Sequence, residues 1–220
     1  MRVRAFLKVP VLTAMLAVGA SACASADSAA VARPAAAPAA PSTLPDATLV
    51  RVDGDATTVL RIDGIITRGL EQRFTEALAA LPRTRPLIVE LSSPGGYTSA
   101  GYRMVDQILA ERDQGRAIAT RVRAGEACES MCVGLYLAGY PRYAAPSAQF
   151  MVHAPRTADE GRMTVRMTQT MVNRLVALGA SVNWIERVKA AGGFSGAVDY
   201  RESAEGLKAE NANIVTDLVP

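Results

Sequence analysis

Three short stretches carry residue types that could perform acyl transfer. Ser92-Ser93-Pro94-Gly95-Gly96 follows an apolar run at 87–91. Ser130 lies directly before an apolar segment of helical length, and Phe150-Met151-Val152-His153-Ala154-Pro155 holds the only histidine of the 220 residues. A serine hydroxyl becomes a nucleophile when an imidazole takes its proton, and the resulting oxyanion needs backbone N–H groups aimed at it. A glycine after a strand can offer such a group, because no Cβ obstructs an approaching carbonyl. A helix starting at the serine presents its own unpaired first-turn N–H groups. The residues around Ser130 do not spell the Gly-x-Ser-x-Gly elbow of α/β-hydrolases. One histidine weighs against zinc, since the remaining cysteines and carboxylates show no ligand spacing. No glycine-rich loop with a lysine marks a phosphate site. Neither a metal nor a cofactor is expected.

The elements that must position these groups are legible in outline. Residues 48–52 and 58–62 are β-branched and apolar around the turn signal Asp53-Gly54-Asp55, which predicts a hairpin or two successive strands. Leu70, Phe74, Ala77, Leu78 and Leu81 recur at helical spacing up to Pro82. A buried strand at 87–91, a helix at 99–111 with Met104, Val105, Ile108 and Leu109 inward, and a strand at 117–122 follow. Residues 131–137 read as a buried helix behind the serine, and 148–152 as a strand delivering His153 at its end. Met163, Met167, Thr170, Met171, Leu175 and Leu178 form an apolar helical stripe, for the core or a subunit contact. A further helix at 182–191 ends at Gly192-Gly193. Strands alternating with helices predict an α/β fold with a mainly parallel sheet, and no internal repeat is present.

This ordered set resembles the proteolytic subunit of Clp-type proteases and its secreted or membrane-bound relatives, within the ClpP/crotonase superfamily. The matching pieces are Ser93-Pro94-Gly95-Gly96, Gly125-Glu126-Ala127 leading to Ser130-Met131, Ala138-Gly139, and Met151-Val152-His153-Ala154-Pro155. Asp199-Tyr200-Arg201-Glu202-Ser203-Ala204-Glu205 and Ile214-Val215-Thr216-Asp217-Leu218-Val219 match later. The resemblance runs from residue 60 to the C-terminus and implies repeated β-β-α units. It implies Ser130 as nucleophile, His153 as general base and Asp199 as the carboxylate orienting the imidazole, although Asp199 also reads as a helix cap. By the same resemblance the Gly96 and Met131 N–H groups form the oxyanion hole, and the loop at Gly95 pairs with an extended substrate backbone. The implied activity is a serine peptidase acting on peptide or protein substrates through an acyl-enzyme, in a homo-oligomer. The methionine stripe falls where Clp-type rings meet, and that region looks shorter here.

Two other functional classes stand beside this one. One is a catalytically silent Clp-like module for binding or assembly. The other is a crotonase-like acyl-CoA enzyme, which export from the cytosol disfavours. One departure concerns the approach to the serine. Ala127-Cys128-Glu129-Ser130 is one residue longer than the common Ala-Ala-Ser-Met form, and resembles a group of secreted Clp-like proteins with a Cys-x-Ser-x-Cys centre.

The N-terminus predicts export. Arg2, Arg4 and Lys8 precede an apolar run at 9–18, with small residues beyond, so 1–22 reads as a signal peptide too short to span a membrane. Ala20-Ser21-Ala22-Cys23 resembles a bacterial lipoprotein box, which would make Cys23 a lipid anchor. Cleavage after Ala22 or Ala26, giving a free periplasmic protein, is the alternative. Residues 23–46, rich in Ala and Pro, read as an extended tether, and 47–220 as the Clp-like domain. If Cys23 carries lipid, Cys128 and Cys132 remain as a pair in an oxidising compartment, and a disulfide is expected. Their spacing suits a bridge only if Cys128 sits at or before the first helical turn. Buried thiols or a metal pair are the alternatives. The formal charge of +3 comes from the signal segment: without Arg2, Arg4 and Lys8, 21 of the 24 basic residues remain against 21 acidic ones. With no basic run interleaved with aromatics, no nucleic-acid partner is expected.

Overall fold

The computed structural model describes residues 46–157 and 160–220. The signal segment, Cys23 and the tether up to residue 45 lie outside the described residues. β1 (Thr48–Asp53) and β2 (Thr58–Asp63) form an antiparallel hairpin, closed where the Gly54 N–H donates to the Thr57 carbonyl at 2.9 Å. Thr58, Leu60 and Ile62 alternate inward along β2, so one face of the strand meets the core. α1 (Arg68–Ala79) begins at Thr67, whose hydroxyl accepts from the Leu70 N–H at 3.2 Å, and buries Leu70, Phe74 and Leu78. Then come β3 (Leu87–Ser92), α2 (Thr98–Asp113), β4 (Ile118–Val122), β5 (Ala127–Glu129), α3 (Met131–Leu137), β6 (Arg142–Ala144) and β7 (Gln149–Val152). α4 (Val165–Ala177), α5 (Val182–Ala190), β8 (Tyr200–Ser203), α6 (Ala204–Ala209) and β9 (Asp217–Leu218) complete the order.

The larger sheet runs β1-β2-β3-β4-β6-β9 and is parallel from β2 onward. This is the α/β class with a mainly parallel sheet that the strand–helix alternation predicts. A smaller sheet, β5-β7-β8, pairs β5 with β7 in parallel and β7 with β8 antiparallel. Gly101 on α2 faces the Met131 side chain, and a Cβ there would collide with it, so the glycine permits α2 and α3 to pack closely. In the larger sheet Arg61, Glu90 and Arg121 stand in one register row, with both arginines 2.5 Å from the carboxylate. Burial alone would raise the Glu90 carboxyl, but hydrogen bonds from Arg61 and Arg121 outweigh it and hold it below its ordinary value.

The methionine stripe is only partly a core feature. α4 buries Val172 and Leu175, while Met171 and Leu178 are half-buried and Met163 lies exposed ahead of the helix.

Candidate active site

Parallel pairing of β5 with β7 sets the site. Glu129, the last residue of β5, stands opposite Met151, so the chain beyond each strand emerges on the same side. Ser130 follows β5 and His153 follows β7. Ser130 has φ 55° and ψ −121°, a region that costs a residue with a Cβ on the order of 1–3 kcal/mol. Backbone bonds hold it there: its N–H donates to the Met151 carbonyl at 2.7 Å, and its carbonyl accepts from the Val133 N–H at 3.1 Å. The strand before it is bracketed by Ser93, which donates to the Ala127 carbonyl and accepts from the Glu129 N–H, each at 2.9 Å. Ser130 stands at the N-cap of α3, yet its side chain caps nothing. The hydroxyl lies instead 2.7 Å from His153 Nε2.

Asp199 precedes β8, whose Tyr200 pairs with Val152, and the antiparallel register therefore brings it beside His153. Its Oδ1 is 3.7 Å from His153 Nδ1, an ion-pair distance rather than a direct hydrogen bond. Of the two readings of Asp199, the helix cap does not apply. α6 is capped by Ser203, whose hydroxyl accepts from the Gly206 N–H at 3.1 Å. The Asp199 side chain is 48% exposed and that of His153 22%. Burial pushes the imidazole below its ordinary value near 6.5; Asp199 opposes this, and Arg156 adds to it. The ring is therefore neutral at pH 7 and able to accept a proton.

The two glycines differ in what their N–H groups do. The Gly95 N–H donates to Ser93 Oγ at 3.1 Å, and its carbonyl accepts from the Ile66 N–H at 2.8 Å. Gly95 has φ 91°, and a Cβ on it would lie 2.8 Å from both the Glu129 carbonyl oxygen and Ser130 Cβ. At Gly96, with φ 149°, a Cβ would run into the Ile66 backbone. Neither the Gly96 N–H nor that of Met131, the first residue of α3, has an acceptor among the described residues. Gly96, Ser130 and His153 line one open cleft of about 550 Å³ with Ile65, Tyr97 and Met167. A narrower apolar recess adjoins it, walled by Tyr102, Met131, Val152, Met171, Leu175 and Leu178 and also touching Ser130 and His153. Arg174 borders that recess and stacks over Tyr102, 4.0 Å from the ring centre.

Cys128 in β5 and Cys132 in α3 are joined by a disulfide, with Cα atoms 5.2 Å apart. Cys128 thus precedes the helix, as a bridge at this spacing requires. Sequence reasoning did not find Arg156, three residues after the histidine, or the ion pair of Arg201 with Glu129 beside Ser130. The charged flanks of His153 and Ser130 were the available signal. Among the described residues no three His, Cys, Asp or Glu side chains are grouped to hold a metal ion.

The geometry can support proton transfer from a serine hydroxyl to a neutral imidazole, with two unengaged N–H groups nearby. The family model for Clp protease matches residues 56–185, which include the glycine loop, Ser130 and His153 but stop short of Asp199. Among solved structures, a ClpP1 point mutant from Listeria monocytogenes shares the fold with a TM-score of 0.54 and 23% identity, over 73% of this chain and 90% of that one. No curated protein matches. The family match spans more than half of the sequence, from just before β2 into the first turn of α5, and the chain belongs to the Clp protease family.

Proposed function

We propose that this chain is an exported serine peptidase that cleaves extended peptide segments through an acyl-enzyme. The observation that carries the reading is Ser130 Oγ at 2.7 Å from His153 Nε2, at the wall of an open cleft. A peptide backbone lies in that cleft beside Gly96 rather than Gly95, whose N–H and carbonyl are both engaged within the chain, and the side chain preceding the scissile bond enters the apolar recess. His153 Nε2 takes the Ser130 proton as Oγ attacks the carbonyl carbon. The Gly96 and Met131 N–H groups bind the oxyanion, and Asp199 stabilises the imidazolium. The imidazolium gives its proton to the departing amine. Water then enters, His153 takes a proton from it as it attacks the ester carbonyl, and the imidazolium returns that proton to Ser130 Oγ as the ester C–O bond breaks and the acid product leaves. The unengaged state of the two N–H groups and the lowered pKa of His153 support these roles.

A fluorophosphonate probe tests the reading, because it reacts with an activated serine whatever the natural substrate is. Mass mapping should place the label on Ser130 and nowhere else. A well-folded protein that takes no label would favour the silent Clp-like module instead. The envelope location rests on the signal segment and the Cys23 box. Mass analysis of the mature N-terminus should find diacylglyceryl on Cys23, and a free terminus at Cys23 or Asp27 would replace the anchored form with a periplasmic one.

A further inference from the structure

The disulfide spans the residue that the proposed chemistry depends on most. Cys128 belongs to a strand of only three residues, and Cys132 is the second residue of a seven-residue helix. Between them Ser130 holds an unfavourable backbone conformation without capping the helix, since its hydroxyl is turned to His153. The junction lacks the side-chain cap that ordinarily steadies a first turn. It is also tightly confined, with the Gly95 Cα facing the Glu129 carbonyl, Ser130 Cβ and the Met131 N–H. Both cysteines are fully buried, so the bridge is anchored in the core rather than on a mobile surface.

We propose that the Cys128–Cys132 disulfide is a positioning clamp, holding Ser130 Oγ against His153 and the Met131 N–H toward the cleft. The covalent link closes a five-residue loop around Ser130, and so adds to the backbone bonds at Ser130 a fixed strand-to-helix angle that no side-chain cap supplies. Its effect on rate rests on the serine-peptidase reading. Its effect on the junction does not. Oxyanion donors act only over a narrow range of distance, so a small rotation of this junction removes one of them.

The test compares the whole chain with its Cys128→Ala/Cys132→Ala variant, well below the unfolding temperature of each. Hydrogen exchange should quicken at least about tenfold in peptides covering residues 127–133, a local opening, and stay unchanged in the core strand at 87–92. Fluorophosphonate labelling of Ser130 should slow by about 100-fold, the scale of losing one oxyanion donor. A merely structural bridge would lower the unfolding temperature and leave the labelling rate of the folded protein unaltered, and that result overturns the proposal. Unchanged exchange at 127–133 overturns it as well. If the wild-type protein takes no label, the peptidase reading falls, and hydrogen exchange alone decides the clamp. Should the variant not fold, a phosphine reductant replaces it: the cystine becomes two thiols and the phosphine its oxide. Labelling should then fall on reduction and return on reoxidation with a disulfide reagent. Labelling unaffected by complete reduction overturns the clamp.

Discussion

At the scale of single residues, the site is a pair of opposed demands on one imidazole. Burial disfavours its charge, whereas the half-exposed Asp199 carboxylate favours it, and burial prevails. The neutral ring that results is the form that can take the Ser130 proton. Labelling by the fluorophosphonate should therefore rise with pH to a plateau, with its midpoint below the ordinary histidine value near 6.5. Asp199→Asn removes the group that raises the pKa, so the midpoint should fall further. The plateau should drop by only about tenfold, because an exposed carboxylate at ion-pair distance is screened by water. Arg156→Gln removes a group that lowers the pKa and should move the midpoint upward. A wild-type midpoint at or above 6.5 would contradict the buried, neutral ring. Linkage gives the matching sign for stability: below 6.5 the unfolded chain takes up the proton before the folded one, so the fold loses stability as the pH falls through that value. Ser130→Ala and His153→Ala should each abolish labelling and peptide cleavage without lowering the unfolding temperature appreciably. Combining them should cost no more than either alone, because the pair acts as a unit. Turnover retained in Ser130→Ala protein would exclude Ser130 as the nucleophile.

At the scale of elements, the site is held by short strands, of which β7 was read from the sequence and β5 and β8 were not. β3, α2 and β4 were legible because each carries a long enough apolar run, or a helical period, to declare its face. β5, β6, β8 and β9 contain two to four residues, and no periodicity can be established over so few. They are strands because of what lies beside them: β5 pairs with β7, and β9 with β6. For the same reason Ser130 and His153 could be singled out by residue type, while Asp199 kept two readings. What brings it to the imidazole is the antiparallel register of β8 on β7, which its own neighbours in sequence do not announce. The glycine loop was legible as a loop and the resemblance pointed to the Gly96 N–H; the physical reason the Gly95 N–H is engaged instead, its bond to Ser93 Oγ, was not. Gly96→Ala tests this loop. Its Cβ would meet the Ile66 backbone at a φ that side chains rarely adopt, so the substitution should destabilise the fold by about 1–3 kcal/mol. Labelling of the folded fraction should also fall, as the loop shifts away from Ser130. Urea denaturation alongside labelling separates the two effects, and a variant with native stability and native labelling would remove the loop from both roles.

At the scale of the whole molecule, apolar side chains stand exposed around the start of α4 and the turn before Asp199. Val165 at the start of α4 is 87% exposed, and Met163 and Val198 are also exposed. The Met163 thioether covers Gly196, where a Cβ would strike it, so the segment before α4 rests on the turn that leads to Asp199. The Arg156 guanidinium donates to the Gly196 carbonyl at 3.1 Å and ties the loop after His153 to that same turn. An apolar stripe half in the core and half on the surface is the arrangement of a helix that finishes its burial against another chain. Sedimentation of the protein at micromolar concentration should therefore show self-association. Val165→Glu, which sets a charge on the most exposed of these residues, should shift the population toward monomer while changing the folding stability of the monomer by no more than about 0.5 kcal/mol, as for other surface changes. Because the same turn carries Asp199, labelling of Ser130 should become concentration-dependent in that variant, recovering as the protein is concentrated. A wild-type chain that sediments as a monomer would show that the stripe is not an association surface.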